Sequence, residues 1–524
     1  MNILQHVETA LYSVTQLRAI EQAAQATLPP HALMHRAGEA AAEAALTLIG
    51  IEATGGISTS KPTVLVAAGP GNNGGDGFTC AIHLAARGCD VTVLLPPTSG
   101  AQPSPDHLQA LARLRTTPVT LLHADALSVL CKQNWTLIVD GLFGIGLARP
   151  LTGAWVETVD ALNAIDAPLL ALDIPSGLDA DTGSILSDAN GPGACIRATH
   201  TITFIGDKPG LHTCDGRDQA GVVSVSVLDI DQALFPVPMA HLNQPQEFLA
   251  DCRPRRQNSH KGSFGDVQII GGAAGMAGAA ILAGLAALKS GCGRVLIGFA
   301  DAASKPAFVP GHPELMCRDA GTLDFAKATL VVGPGLGDAP AARILLAAAC
   351  ASDAPMVLDA DGLNLLAATP ALQNALAARA RRQLATIITP HPLEAARLLG
   401  ISVKEVQADR LRAASLLTLR FGAAAVLKGS GTVVAYGDTL LINPTGNPAL
   451  ATGGTGDVLA GMCGALLAQG WPVAHAAAAA VWIHGAAADR LVAEGIGPIG
   501  MTAGELPDAV RSVLNCLVRR AVRQ

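Results

Sequence analysis

The chain has 524 residues, half of them apolar and 15% charged, which excludes a disordered protein and predicts two domains with ordinary cores. A net charge of −7 without a long basic run argues against nucleic acid or an anionic membrane as a partner. Eleven cysteines without a C-x-x-C pair support neither a disulfide framework nor a zinc knuckle, so a reducing cytoplasmic setting is expected.

Residues 1–30 read as a weak amphipathic lead-in with no signal-peptide pattern. Apolar residues at helical spacing from His31 predict a helix ending near Gly50. A loop is expected over Gly55 to Pro62. Val64 to Ala67 is wholly apolar, as in a parallel strand covered on both faces. It runs into GPGNNGGDG, Gly69 to Gly77, and a helix is predicted from Phe78 to Arg87. Strand, glycine-rich turn and helix is the layout of a doubly wound nucleotide site. The spacing is neither G-x-G-x-x-G nor a phosphate loop. Asn72, Asn73 and Asp76 crowd one turn, more polar groups than an Asn-Gly turn needs.

Val91 to Leu95 is the next strand, followed by a loop over Pro96 to Pro105 and a helix near Asp106–Arg115. Leu137 to Val139 ends at Asp140 and enters GLFGIGLARPLTG. Leu169 to Leu172 ends at Asp173 and enters IPSGLDADTG. The carboxyl ends of strands in open α/β sheets form the ligand crevice, so Asp140, Asp173 and the Asn72–Asp76 turn should converge. Thr199 to Phe204 and Val222 to Val227 are the last strands expected in this half.

Four motifs in order, LMHRAG, GPGNNGGDG, DGLFGIGL and DIPSGLDADTG, together resemble the NAD(P)H-hydrate epimerase domain from Leu33 to Lys208. The resemblance implies a Rossmann-like domain over 1–228 that binds K+ through Asn73, Asp140 and Ser176. Amide, carboxylate and hydroxyl oxygens suit such a hard cation. It places the substrate against Asn72, Asn73, Gly74, Gly75 and Asp76, and against Gly144, Ile145, Gly146, Leu147, Ala148, Arg149 and Pro150. Asp173 would then be the acid/base group.

Asp229 to Asn258 is proline-bearing and holds Arg253, Arg255 and Arg256. It reads as a linker, taken as 229–256, with a solvated basic cluster. HKGSFG, His260 to Gly265, leads into a strand over Val267 to Ile270, then GGAAGMAGAA and a helix to about Lys289. Ile269 to Leu288 carries no charge, but its many glycines and alanines read as strand end, loop and helix rather than a membrane span. Strands follow at Val295 to Phe299, at Leu330 to Val332 before GPGLG, and at Met356 to Leu358 before DADGLN. Asp359 and Asp361 in the last of these either hold magnesium through water or cap the next helix. Ile387 to Thr389 leads to TPHPLEAARLLG, where His391 sits between prolines at a strand end. Ala424 to Leu427 leads to KGSGT, Lys428, Gly429, Ser430, Gly431 and Thr432, a loop suited to nucleotide phosphates.

NPTGNPALATGGTGDVLAG, Asn443 to Gly461, then feeds an apolar helix. Its unpaired N–H groups and glycines make a phosphate site. Asp457 beside phosphates is better explained as a general base than as a cap. His475 and His484, in a helix near Val473–Val492, read as packed or partly exposed.

This run resembles the anion-hole motif of ribokinase-like proteins, and in detail that of the ADP-dependent NAD(P)H-hydrate dehydratases. Residues 257–524 would then form a ribokinase-like α/β domain. The resemblance puts Ala279, Gly335, His391 and Asp457 at the substrate, and the KGSGT loop and Gly456 at the nucleotide. Glu394 matches the family, whereas Leu393 stands where it usually has glycine. The implied substrates are hydrated NADH and NADPH (NADHX and NADPHX) with ADP and Mg2+. By the same implication, the 6-hydroxyl is phosphorylated as Asp457 takes its proton, and the phosphate then leaves. A ribokinase-like kinase of a small vitamin-precursor alcohol, with a merely binding first domain, keeps the same fold and is the alternative. The alanine-rich helix faces leave a homo-oligomer open.

Overall fold

The computed structural model describes residues 9–50, 61–95, 103–123, 127–130, 132–188 and 191–523. Most of the loops expected over 55–62 and 96–105 lie outside them. The chain divides into two compact units, Met1–His241 and Leu242–Gln524.

The first unit carries a seven-stranded sheet. In chain order its strands are β1 (Thr63–Ala68), β2 (Asp90–Leu95), β3 (Thr120–His123), β4 (Leu137–Gly141), β5 (Leu169–Leu172), β6 (His200–Phe204) and β7 (Val222–Ser226). They lie in the order β3-β2-β1-β4-β5-β6-β7 and every pairing is parallel. The order reverses between β1 and β4, where an open sheet splays to admit a ligand. Both strands end there in motif residues.

Two sequence expectations need correction in this unit. The lead-in is structural: Val14–Gln25 (α1) is a helix with a Ser13–Gln16 capping box, and it buries Leu17, Ile20 and Ala24. The glycine-rich turn after β1 is also shorter than expected. The helix α3 (Asn72–Ala86) begins at Asn72 rather than Phe78, so Asn72 to Gly77 form its first turns. Glycines are poor helix formers, but tertiary packing overrides propensity here. A methyl on Gly74 would lie 1.9 Å from Gly69 O, and one on Gly75 2.4 Å from Met34 Cε. The helix Ala32–Leu48 (α2) returns the close approach, with Gly38 against Thr79.

The second unit has the strands β8 (Asp266–Gly271), β9 (Arg294–Phe299), β10 (Met316–Asp319), β11 (Thr329–Val332), β12 (Met356–Leu358), β13 (Thr386–Ile388) and β14 (Ala424–Leu427). They run parallel in the order β14-β13-β12-β11-β8-β9-β10. An antiparallel hairpin, β15 (Val433–Tyr436) and β16 (Thr439–Ile442), extends the sheet from β14. Neither the hairpin nor β10 was predicted. The helix Thr455–Ala468 lies against Ala277–Lys289, with Gly461 meeting Ala283 O and Gly464 meeting Val331. Small residues let these helix backbones close on each other and on the sheet.

The stretch read as a linker is shared between the units and is packed. Arg36 Nη1 donates to Asp229 O at 3.2 Å in the first unit. In the second, Asn243 is buried and donates to Asn443 Oδ1 and Ala478 O. Phe248 is buried beside Trp482. Arg253 and Arg256 are exposed, while Arg255 lies over the Phe264 ring at 3.7 Å.

Candidate active sites

In the first unit, α3 starts where β1 ends and brings Asn73 against the end of β4. A methyl on Gly141 would lie 3.0 Å from Asn73 O. Asn73 is buried, and neither its amide oxygen nor its nitrogen has a hydrogen-bond partner among the described residues. Asp140, fully buried, accepts from Ser176 Oγ at 2.8 Å, Ser176 N at 2.9 Å and Leu142 N at 3.1 Å. Burial pushes its carboxyl up to about 6 against the pull of those bonds. No cationic side chain pairs with it among the described residues. A buried amide without a partner beside a buried carboxylate without a counter-ion costs free energy that a bound cation would remove. The donors fit K+, and Asn73, Asp140 and Ser176 are the residues that would hold it.

Asp173 follows β5 with φ 69, the left-handed region that side chains other than glycine rarely adopt. Its Oδ1 accepts from Phe204 N at 3.3 Å and meets Lys208 Nζ at 2.8 Å. Oδ2 points the other way, 3.3 Å from where a methyl on Gly144 would lie; that methyl would also sit 3.5 Å from Asn73. Gly144 therefore lies between Asp173 and Asn73, and the expected convergence is present. Asn72 is exposed and accepts from Ser104 Oγ at 2.6 Å. Asp76 is part-buried, and burial followed by the charges of Asp173 and Glu21 pushes its carboxyl well up. In the Gly144–Pro150 loop, Ile145 and Leu147 turn into the core, Gly146 faces Arg18, and Ala148 and Arg149 are exposed. Arg18, Glu21 and Lys208 were missed by sequence reasoning. The first two lie in a helix that carries no motif. Lys208 closes the matched stretch as an ordinary-looking lysine.

In the second unit the predicted loops also converge. Lys428 Nζ donates to Asp359 Oδ1 at 2.7 Å. A methyl on Gly456 would lie 3.3 Å from Lys428 Nζ and 3.8 Å from Asp359 Oδ2. The glycine loop, the KGSGT loop and DADGLN thus meet. Asp359 does not cap the helix that follows it; its carboxylate goes to Lys428 instead. Asp361 accepts from Gly337 N at 2.9 Å and ties in GPGLG. Gly335 is buried with φ 58 and packs on Met276 and Ala279.

Burial and then Asp359 push the Asp457 carboxyl up to about 7, although Lys428 opposes. Glu394 reaches about 7 for the same first cause. Burial pulls the Lys428 ammonium down, but Asp359 and Glu394 outweigh it and hold it above its ordinary value. His391 Nδ1 accepts from Leu393 N at 3.1 Å and Glu394 N at 3.3 Å, capping the helix Pro392–Leu399. That fixes its proton on Nε2, 3.2 Å from Glu394 Oε1. Burial and then Lys428 pull the His391 imidazole below its ordinary value. Leu393, in place of the family glycine, is exposed in an intact helix.

Thr432 Oγ1 donates to Gly429 O at 3.0 Å and closes the KGSGT turn, in which Gly429 and Ser430 are exposed and Gly431 is buried. Arg410, buried and unforeseen, donates to Leu427 O and Lys428 O at 3.1 Å each and holds this loop from behind. His475 pairs with Asp251 at 2.7 Å, and His484 is buried, with burial pulling it down to about 4. Among the described residues no three His, Cys, Asp or Glu side chains gather to hold a metal. Asp359 and Asp361 are the carboxylates that would reach magnesium through water.

These two sheets, each with a carboxylate-bearing crevice at its strand ends, define a two-domain α/β enzyme. The first crevice lies in a doubly wound Rossmann-like domain, the second in a ribokinase-like one. Residues 30–210 match the family described as YjeF-related protein N-terminus, and residues 267–511 match the NAD(P)H-hydrate dehydratase family. The bifunctional NAD(P)H-hydrate repair enzyme Nnr of Escherichia coli is 39% identical over 86% of this chain and 85% of its own length. That of Coxiella burnetii is 35% identical over 97% of this chain and all of its own. A crystal structure of the Bacillus subtilis ADP/ATP-dependent NAD(P)H-hydrate dehydratase, grown with ATP and Mg2+, is 33% identical. It covers 53% of this chain and 98% of its own, with a TM-score of 0.47. The chain belongs to the family of bifunctional NAD(P)H-hydrate repair enzymes.

Proposed function

We propose that the chain repairs hydrated NADH and NADPH: the first unit interconverts the R and S epimers, and the second dehydrates the S epimer at the expense of ADP. The family's activity is the starting point, and the assignment of residues to steps is ours. The vitamin-precursor kinase is not favoured, because near full-length relatives are repair enzymes.

C6 of the hydrated ring carries both a hydroxyl and the ring nitrogen. Epimerisation follows if the nitrogen lone pair expels the hydroxyl as water, leaving a planar N1=C6 iminium, and water adds to the opposite face. One proton is given to the leaving hydroxyl and one is taken from the incoming water, so the balance is zero. Asp76, pushed up by burial and its acidic neighbours, is suited to hold the first proton. Asp173, with Oδ2 directed at the Gly144 loop, is suited to take the second. K+ at Asn73, Asp140 and Ser176 would supply fixed positive charge beneath the substrate.

Hydroxide is a poor leaving group in the dehydration. Asp457 takes the 6-hydroxyl proton as that oxygen attacks the terminal phosphorus of ADP, releasing AMP. N–H groups at the start of Thr455–Ala468, with Lys428, stabilise the charge on the transferring phosphoryl group. The ring nitrogen then expels phosphate, a proton leaves C5, and the dihydronicotinamide is restored. Mg2+ would accompany the nucleotide and neutralise its phosphates. The observation that carries the reading is the meeting of Gly456, Lys428, Asp359 and Asp457 at one helix start.

The described cysteines are all free and no described helix is long and apolar enough to cross a membrane. The free thiols support a cytoplasmic setting. The decisive experiment follows the near-ultraviolet band of a mixed R/S NADHX sample with Mg2+, K+ and ADP. Full recovery of NADH is expected. Recovery that stops when the S epimer is exhausted would remove the epimerase. No recovery with ADP or ATP would overturn the repair reading.

A further inference from the structure

Lys208 is 1% exposed, almost completely closed off from solvent. Its Nζ faces acceptors only: Asp173 Oδ1 at 2.8 Å, Thr203 Oγ1, and the carbonyl oxygens of Phe204 and Gly206 at 3.2 Å each. An ammonium has three protons to give and no lone pair to receive one. These oxygens form a cage that suits the donors of an ammonium. The cage is built from the end of β6 and the loop after it, and Phe204 serves twice, giving its N–H to Asp173 and its carbonyl to Lys208.

Asp173 is thereby held by one oxygen. Its backbone is in the left-handed region, and Lys208, Phe204 N–H and the bond from Asp173 N to Ile202 O hold it there. The other charged groups facing Asp173 are acidic: Asp76 from α3 and Glu21 from α1, with Asp106 near both and Arg18 beside Glu21. Without Lys208, three carboxyl groups would share the crevice with no cation bonded to Asp173.

We propose that Lys208 is a positioning residue of the epimerase, which pins Asp173 by Oδ1 so that Oδ2 is left to serve as the base. This rests on the reading of Asp173 as that base. Lys208 does not touch the ring; it acts through Asp173.

The test uses the full chain, with dehydration of pure S epimer as an internal control for folding of the second unit. Lys208→Gln keeps a donor on a side chain one atom shorter and removes the charge, and Lys208→Met removes both charge and donor. Epimerisation is followed by separating R and S forms. Both variants are expected to lose at least tenfold in kcat with little change in KM, because Asp173 would no longer be pinned through Oδ1. A loss that lies in KM with kcat unchanged would mean a merely structural lysine and would overturn the proposal. Asp173→Asn separates the two failures. If it retains epimerase activity, the base assignment falls. If it is inactive while Lys208→Gln matches the unmodified chain, only the lysine's role falls. Should the lysine variants fail to accumulate, 15N-lysine NMR of the unmodified chain and of Asp173→Asn decides. A slowly exchanging buried ammonium signal that shifts in Asp173→Asn is expected, and a neutral amine or an unmoved signal would overturn the proposal.

Discussion

Each unit places a lysine–aspartate ion pair at the ends of its parallel strands, and the two pairs are inverted. In the first, Lys208 is enclosed and Asp173 faces the crevice; in the second, Asp359 is enclosed and Lys428 faces it. The distances are alike, 2.8 and 2.7 Å. What differs is which charge the substrate meets. The first crevice offers a carboxylate, suited to taking a proton from water that adds at C6. The second crevice offers an ammonium, suited to phosphate oxygens, and the reading proposed for it takes the proton with a separate carboxylate, Asp457. A buried partner in each case lets one exposed charge stand in a desolvated place, where a lone charge would be costly. The sign presented, more than the fold, separates the two chemistries.

The largest effect is expected where that division of labour is broken outright. Asp457→Asn should lower dehydration by roughly 10³-fold, within the range for a positioned general base. ADP binding by calorimetry and epimerisation should remain. A variant turning over at the original rate would remove Asp457 as the base. Asp359→Asn is the counterpart of the lysine substitutions in the first unit. Without its enclosed partner Lys428 loses one charge-assisted bond, worth about 1.5–3 kcal/mol, so dehydration should fall roughly 10–100-fold. The loss should lie partly in the KM for ADP, because Lys428 faces the nucleotide. Were it confined to NADHX binding, Lys428 would belong to the other substrate.

Much of this was legible in the sequence because glycine and carboxylate motifs sit at strand ends, and parallel strands announce themselves as short apolar runs. GGTGD, KGSGT and DADGLN were each readable alone, and their meeting follows from the order of the sheet. What was hidden is what works from behind. Arg410 and Lys208 belong to no glycine loop, and their partners are largely carbonyl oxygens, which sequence does not display. The start of α3 was misjudged because glycines that read as loop serve close packing against α2. The lead-in helix was passed over because its apolar stripe is narrow, yet it brings Glu21 towards Asp173. The hairpin β15–β16 follows KGSGT so closely that its short strands blended into the loop.

A subtler measurement concerns pH. Asp457 must be ionised to act, and its carboxyl is pushed up to about 7, so the dehydration kcat/KM should fall as pH drops through neutrality. Asp361 contributes to that upward push. Asp361→Asn removes a negative neighbour, so the acid limb should move to lower pH by less than about one unit. A limb that moved upward would show that Asp361 acts mainly through its bond from Gly337 N, by displacing the loop.

The smallest effect is expected at Gly456, and its value lies in its sign. A methyl there meets Lys428 Nζ at 3.3 Å and Asp359 Oδ2 at 3.8 Å, with no backbone atom in the way, and Gly456 lies inside a helix. Alanine is favoured over glycine in a helix by up to about 1 kcal/mol, so Gly456→Ala should leave thermal stability unchanged or slightly raised. The same methyl occupies space that the phosphates need beside the lysine, so the ADP affinity should drop about threefold, near 0.7 kcal/mol. Stability and affinity moving in opposite directions separates a glycine kept for a ligand from one kept for packing. Gly74 is of the second kind, with Gly69 O only 1.9 Å from its added methyl. If Gly456→Ala instead lost stability and affinity together, the glycine would belong to the fold, and the cradle would have to be sought at Gly453 and Gly454.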